Sequence, residues 1–139
     1  MKKIKALLID TDTKQIREVE YDRDSLPQIY GLLNCSTIDI VNRKFMVAEK
    51  TAKRFDVICD DEGLLDPVKR KKPAILTFNF KNPAKMLQEV IVGNCLIVSH
   101  DGDGNSVSLT DEEIEGLKKF SMSKLKEAIG GQEVLVAEI

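Results

Sequence analysis

Four residues of one short segment carry the side chains that acid–base or nucleophilic chemistry uses: Cys95, Ser99, His100 and Asp101. Histidine titrates near neutral pH, and a carboxylate can orient its ring while it takes a proton from a hydroxyl or thiol. The spacing works against that use. Successive side chains on a strand point to opposite faces, so Ser99 and Asp101 face away from His100, and Cys95, an odd number of residues earlier, does so too. The chain holds no nucleophile elbow, HExxH, P-loop or dinucleotide fingerprint. These residues predict no catalytic group, no cofactor and no enzyme activity.

Metal ligation is the next chemistry to weigh. Asp101, Asp103, Asn105 and Glu112 fall at positions 1, 3, 5 and 12 of an EF-hand loop, which would give Ca²⁺ its oxygens. Position six is Ser106, where the sharp turn needs glycine, and a β-branched strand pattern precedes the loop instead of a helix. The segment reads as a hairpin turn with solvated acids, and calcium binding stays an open question. Asp60, Asp61 and Glu62 could hold Mg²⁺ but are more simply a turn after a strand. Cys35, Cys59 and Cys95 are widely separated, form no CxxC pair, and with one histidine cannot complete a zinc site. They read as buried, unpaired thiols.

Charge supplies the binding candidates. From Arg43 to Lys85 there are 11 basic and 6 acidic residues, and from Met86 to Ile139 there are 4 basic and 10 acidic. The molecule should therefore be electrostatically two-sided, although its net charge is only −2. Lys69, Arg70, Lys71 and Lys72 form the densest positive run, and Arg43 and Lys44 open the same basic region. Phosphates could sit on such a face, but single-strand readers also need stacking aromatics, and only Phe78 and Phe80 lie close by.

The elements that must position these residues follow from pattern. Lys5 to Ile9 and Ile16 to Tyr21 predict a hairpin around the turn DTDTK. Ser25 with Gln28 forms a capping box with Pro27 in the first turn, and Leu26, Ile29, Tyr30 and Leu33 share one helical face up to Asn34. Ser36 to Val41 and Phe55 to Cys59 predict strands, with the stretch between them irregular or a hairpin continuation. A strand at AILTFNF leads to a short helix capped by Asn82, with Pro83 at its first position and Met86, Leu87 and Val90 on its apolar side. Gly93 to Val98 pairs back onto Val107 to Leu109 across DGDGN. Thr110 with Glu113 is a second capping box, opening one helix, or two broken near Gly116 or Ser121, that carry Ile114, Leu117, Leu125 and Ala128 and end at Gly130 and Gly131. EVLVAEI returns as a last strand.

Length and hydropathy limit the class. The 139 residues suit one domain, 42% of them are hydrophobic, and no run approaches the roughly 20 apolar residues that span a bilayer. The expectation is a cytoplasmic protein with no membrane partner.

The order VICDDEGLLDP, VIVGNCLIVSHDGDGN and SLTDEEIEGL is similar to a family of small proteins of unknown function found in phages, plasmids and conjugative elements of bacteria. The opening ALLIDTDTKQIREVEY and the helix IYGLLNC resemble it too, over Ile4 to Leu117. The stretch around Arg43 to Phe55, the KRKKP run and the tail after Leu117 depart from the pattern. The resemblance implies a mobile-element setting, an α+β fold and nothing catalytic.

The sequence thus predicts a single α+β domain over residues 1–139. A mostly antiparallel sheet should carry two to four helices, with those starting at Ser25 and Thr110 on one side. A C-terminal helix and strand should fill 118–139. The leading functional expectation is a non-catalytic binding protein of a phage or mobile element that docks on a host protein such as a defence component. The alternatives are a nucleic-acid accessory factor using the basic middle region, and a sponge for a small nucleotide signal. Oligomeric state is open, a homodimer included.

Overall fold

A computed structural model describes residues 2–79, 87–124 and 133–138. Its strands are β1 (Lys3–Asp10), β2 (Gln15–Asp22), β3 (Ile38–Ala48), β4 (Thr51–Asp60), β5 (Pro73–Phe78), β6 (Leu87–Val92), β7 (Cys95–His100), β8 (Ser106–Val107), β9 (Met122–Lys124) and β10 (Glu133–Glu138). Two α-helices are present among the described residues, α1 (Leu26–Leu33) and α2 (Asp111–Gly116), together with two 3₁₀ turns and one π-helical turn.

The strands form one mixed sheet in the order β2-β1-β7-β4-β3-β10-β5-β6, with β8 beside β7 and β9 beside β10. This overturns the α+β expectation: 54% of the described residues are strand and 21% helical, and β10 runs parallel to β5. The two helices also lie on opposite faces of the sheet instead of sharing one. Leu87–Val92, expected as a helix flank, is strand β6. The expected Asn82 cap and Pro83 helical start lie outside the described residues, as do Leu125, Ala128, Gly130 and Gly131.

Why the sheet claims so much of the chain is visible in its alternation. On β1, Leu7 and Ile9 face one core while Ala6 and Leu8 face the other. Cys95 and Ile97 against Leu96 and Val98 repeat this on β7, and Val57 against Ile58 does so on β4. Strands buried on both faces read as unbroken apolar runs, so the period that separates strand from helix is lost in ALLI and CLIV.

The sheet curls around its larger core. Arg43 on β3 bonds Glu89 on β6 at 2.9 and 3.1 Å, although β10 and β5 separate those strands in the order. Glu133 of β10 reaches Ile16 N on the far edge strand β2 at 2.8 Å. The enclosed cluster contains Leu7, Ile9, Phe45, Phe55, Ile75, Ile97 and Leu135, closed by Ile114 and Leu117. The outer cluster sits under α1, whose Ile29 and Leu33 cover Ala6, Leu8, Ile58 and Leu96. Burying each of those two side chains contributes about 1.5–3 kcal/mol.

Local signals fix the helix ends. Ser25 accepts from Gln28 N, while Gln28 turns its amide oxygen to Asp22 N, so only half of the expected box forms. Asn34 stops α1 at φ 51°, a left-handed conformation. The second box is reciprocal: Thr110 accepts from Glu113 N, and Glu113 accepts from Thr110 N. The helix breaks at Gly116, one of the two expected places, passing into a π-helical turn at Leu117–Ser121 and then, where a second helix was expected, into β9. An added Cβ on Gly116 would lie 2.1 Å from the Val47 carbonyl oxygen, so only glycine lets α2 approach β3 this closely.

Candidate functional site

Several cavities lie at the end of the sheet where β1 turns into β2, α1 ends, and β4 leaves for β5. Between β4 and β5 runs an arm over residues 61–72, containing the 3₁₀ turns Gly63–Leu65 and Lys69–Lys71. Asp60 anchors both of its ends. One carboxylate oxygen accepts from Glu62 N at 2.9 Å and the other from Lys69 Nζ at 2.6 Å. Lys69 Nζ also donates to the Asn34 carbonyl at the C-terminus of α1, at 2.6 Å. The pair is largely withdrawn from water, its side chains 14% and 8% exposed.

Asp66 organises the middle of the arm. Its Oδ1 accepts from Val68 N and Lys69 N, and these two bonds hold its carboxyl below the ordinary value. On the facing β1–β2 turn, burial alone would raise the Asp10 carboxyl, but bonds from Thr13, Arg17 and Asp12 outweigh it and lower it. Asn94 locks the third loop: its amide oxygen accepts from Thr11 N and Oγ1, and its amide nitrogen donates to Leu32 O.

The basic run therefore splits. A 3₁₀ turn repeats every three residues, which sets Lys69 and Lys72 on one side and Arg70 and Lys71 on the other. Lys69 is held by Asp60, and Lys72 pairs with Asp12 at 2.7 Å. Arg70 and Lys71 are exposed. Arg43 is taken up by Glu89, with its Nε buried and without a partner among the described residues. Lys44, next along β3, lines a different groove beside Met46 and Phe120. The six residues expected to bind thus do not form one face.

What the arm does expose is aliphatic. Leu64, Leu65 and Val68 are 60%, 80% and 61% exposed, three large apolar side chains within five consecutive residues. Singly exposed leucines are ordinary, but three large apolar side chains exposed on one short arm among charged residues are a candidate interaction surface. A cavity of 540 Å³ lies on one side, bounded by Tyr30, Cys35, Asp60, Glu62, Asp66 and Lys69. One of 470 Å³ lies on the other, bounded by Thr11, Lys14, Pro67, Val68, Lys71 and Lys72. The ridge separates a carboxylate-rich hollow from a lysine-rich one.

The remaining chemical candidates fall elsewhere. Asp101 accepts from the backbone N–H groups of Asp103 and Asn105 and from the Asn105 side chain, which holds its carboxyl low and shapes the β7–β8 turn. Glu112, the twelfth position of the EF-hand spacing, is exposed on α2. No group of three or more His, Cys, Asp or Glu residues able to hold a metal ion occurs among the described residues. His100 faces neither Ser99 nor Asp101; its Nδ1 lies 3.5 Å from Asp56 on the adjacent strand β4. Asp56 also accepts from Asn42 at 3.1 Å. Burial pushes the Cys59 thiol up to about 12 and Cys95 well above its usual range. Cys35 differs from the expectation in being half-buried, at the wall of the larger cavity.

Neither the Asp60–Lys69 pair nor the ridge was visible in the sequence. The pair joins residues nine apart across a loop, and its only trace is the three-residue spacing of Lys69 and Lys72. No helix among the described residues is long and apolar enough to cross a membrane.

The chain belongs to a family described as a domain of unknown function, DUF3846, which matches residues 4–131. The match runs past Leu117, where the resemblance was expected to end. No curated protein and no solved structure matches the chain.

Proposed function

We propose that this chain works without catalysis, by docking on a partner protein through the exposed ridge of Leu64, Leu65 and Val68, and that its setting is a phage or mobile element of bacteria, with a host protein as the target. The ridge carries the reading. Three aliphatic side chains standing in water forgo about 1.5–3 kcal/mol each relative to burial, yet the segment that presents them is pinned by a buried ion pair and an aspartate-bonded turn. A rigid support under an apolar crest is what a preformed interface requires.

Charge favours a protein over a nucleic acid or nucleotide. Lys69 and Lys72 already have carboxylate partners, which leaves Arg70 and Lys71 as the exposed cations of the run. A phosphate entering the larger cavity would meet Asp60, Glu62 and Asp66 around one paired lysine.

The test is a photo-crosslinking amino acid at Leu65, with the exposed Glu20 as control position, in bacterial lysate. The reading predicts a discrete protein adduct from position 65 that excess unmodified chain competes away. No adduct, equal adducts from both positions, or an adduct removed by nuclease would overturn it.

A further inference from the structure

The ridge has a counterpart on the same molecule. At the other end of β4, Met46, Phe120 and Val136 line an apolar groove of 370 Å³, within the size range of pockets that accept ligands of about 300–1,000 Å³. Met46 and Phe120 are exposed, as are two of the chain's large apolar side chains on the ridge, Leu64 and Leu65. The groove is rimmed by Lys44 and Glu138, and the Lys119 ammonium stands 5.4 Å from the centre of the Phe120 ring. Its rim carries more positive than negative charge.

The ridge carries the opposite sign on its near shoulder. Asp61 and Glu62 are exposed immediately before Leu64, and Asp66 follows Leu65. An apolar crest with carboxylates on this shoulder and an apolar trough with ammonium groups beside it are complementary in charge, while Arg70 and Lys71 lie on the ridge's other shoulder. The length of β4 separates them, from Ala52 at the groove to Asp60 at the arm, so one molecule cannot bring its own two halves together. Strand rise sets that separation at about 25 Å.

We propose that the ridge of one copy seats in the Met46–Phe120 groove of the next, so that the chain self-associates head to tail through Leu65, with Asp61 and Glu62 facing Lys44 and Lys119. This rests on the docking reading above in taking the same ridge as the interface and goes beyond it, because a second copy occupies the ridge when the host protein does not. Joining two different surfaces does not close at a dimer; each added copy leaves one ridge and one groove open.

Sedimentation equilibrium of the full chain tests this. The weight-average mass should rise from 15.6 kDa and pass twice that value, at concentrations up to about 0.5 mM, above the dissociation constants of small transient interfaces. It should fall back as salt screens the rim charges. Leu65→Glu and Met46→Glu should each be monomeric. Mixed in equal amounts they should form a dimer and stop there, since one variant keeps an intact groove and the other an intact ridge. Far-UV circular dichroism checks that both fold, and Leu65→Gln with Met46→Gln serve as the second pair. A wild-type chain that stays monomeric, a Leu65→Glu chain that still associates, or a mixture that remains monomeric overturns the inference. Failure here combined with a competed adduct of another mass at Leu65 would leave the docking reading standing; failure of both experiments would remove both.

Discussion

Two glycines inside helices should respond to alanine in opposite directions. At Gly116 a Cβ would meet Val47 O at 2.1 Å, its carbonyl carbon at 2.9 Å and its Cα at 3.1 Å, all of them backbone atoms of β3. No rotamer change relieves this, so α2 must retreat by about 1 Å, enough to forfeit a quarter to a half of each dispersion contact along the seam. That seam carries Ile114 and Leu117 into the enclosed core, and the Ser121 hydroxyl donates to Met46 O at 2.7 Å. Overpacking of this kind costs about 1–3 kcal/mol or more, and alanine's better helix propensity returns only about 1 kcal/mol. Because the obstruction is rigid, we take the upper end of that cost, about 3 kcal/mol, so Gly116→Ala should lose about 2 kcal/mol net, a fall in Tm of about 7 °C for a chain of this length. Gly31, inside α1, has nothing within 4 Å of a built Cβ. Gly31→Ala should therefore stabilise by about 0.5–1 kcal/mol through backbone entropy. Paired thermal and urea unfolding curves measure both. Equal effects at the two sites would refute the claim that α2 is pressed onto the β3 backbone.

Removing one side of the buried pair should be far more damaging than removing the exposed one: Lys69→Met leaves Asp60 uncompensated and should cost about 3 kcal/mol, against under about 1 kcal/mol for Lys72→Met, as read by urea midpoints. Thr110→Ala removes the acceptor for Glu113 N and should cost about 1 kcal/mol, measured the same way. Asp10 and Glu113 are held below their ordinary values of 3.8 and 4.5, so the fold binds fewer protons there than the unfolded chain. The stability they contribute is fully present above those values and is lost as pH falls through the lower folded ones; Tm should be flat near neutrality and drop below about pH 4. An aromatic disulfide reagent at pH 8 should leave Cys59 and Cys95 unmodified in the native protein, with any slow reaction confined to Cys35, and should modify all three after denaturation.

The legible parts of this fold were those written locally. Ser25 and Asn34 bound α1, Thr110 and Glu113 start α2, and the hairpin of β1 and β2 follows its turn, because each signal acts over a few residues. What misled the reading was context. Leu87 and Val90 fall at helical spacing, yet Val90, Ile91 and Val92 are β-branched and are claimed by β5. Ile114 and Leu117 do share a helical face, and the break expected near Gly116 or Ser121 falls at Gly116, which is pinned against Val47. Whether EVLVAEI would pair internally depended on a parallel partner at Ile75 to Phe78, far away in sequence. The site was harder still. The KRKK run looked like one basic face because charge counts carry no direction, whereas the 3₁₀ geometry turns alternate pairs toward and away from carboxylates. His100 offered two neighbours in sequence and instead met Asp56, which only the strand order brings beside it.

If Leu64, Leu65 and Val68 serve a partner and not the core, replacing all three with serine should leave the fold intact. Solvent-exposed side chains of this kind change stability by about 0.5 kcal/mol or less each, so the triple variant should unfold within a few degrees of the parent while losing the concentration-dependent mass. A collapse of several kcal/mol, as buried leucines give at about 2–5 kcal/mol each, would mean that these side chains hold the fold together and that the ridge is no docking surface.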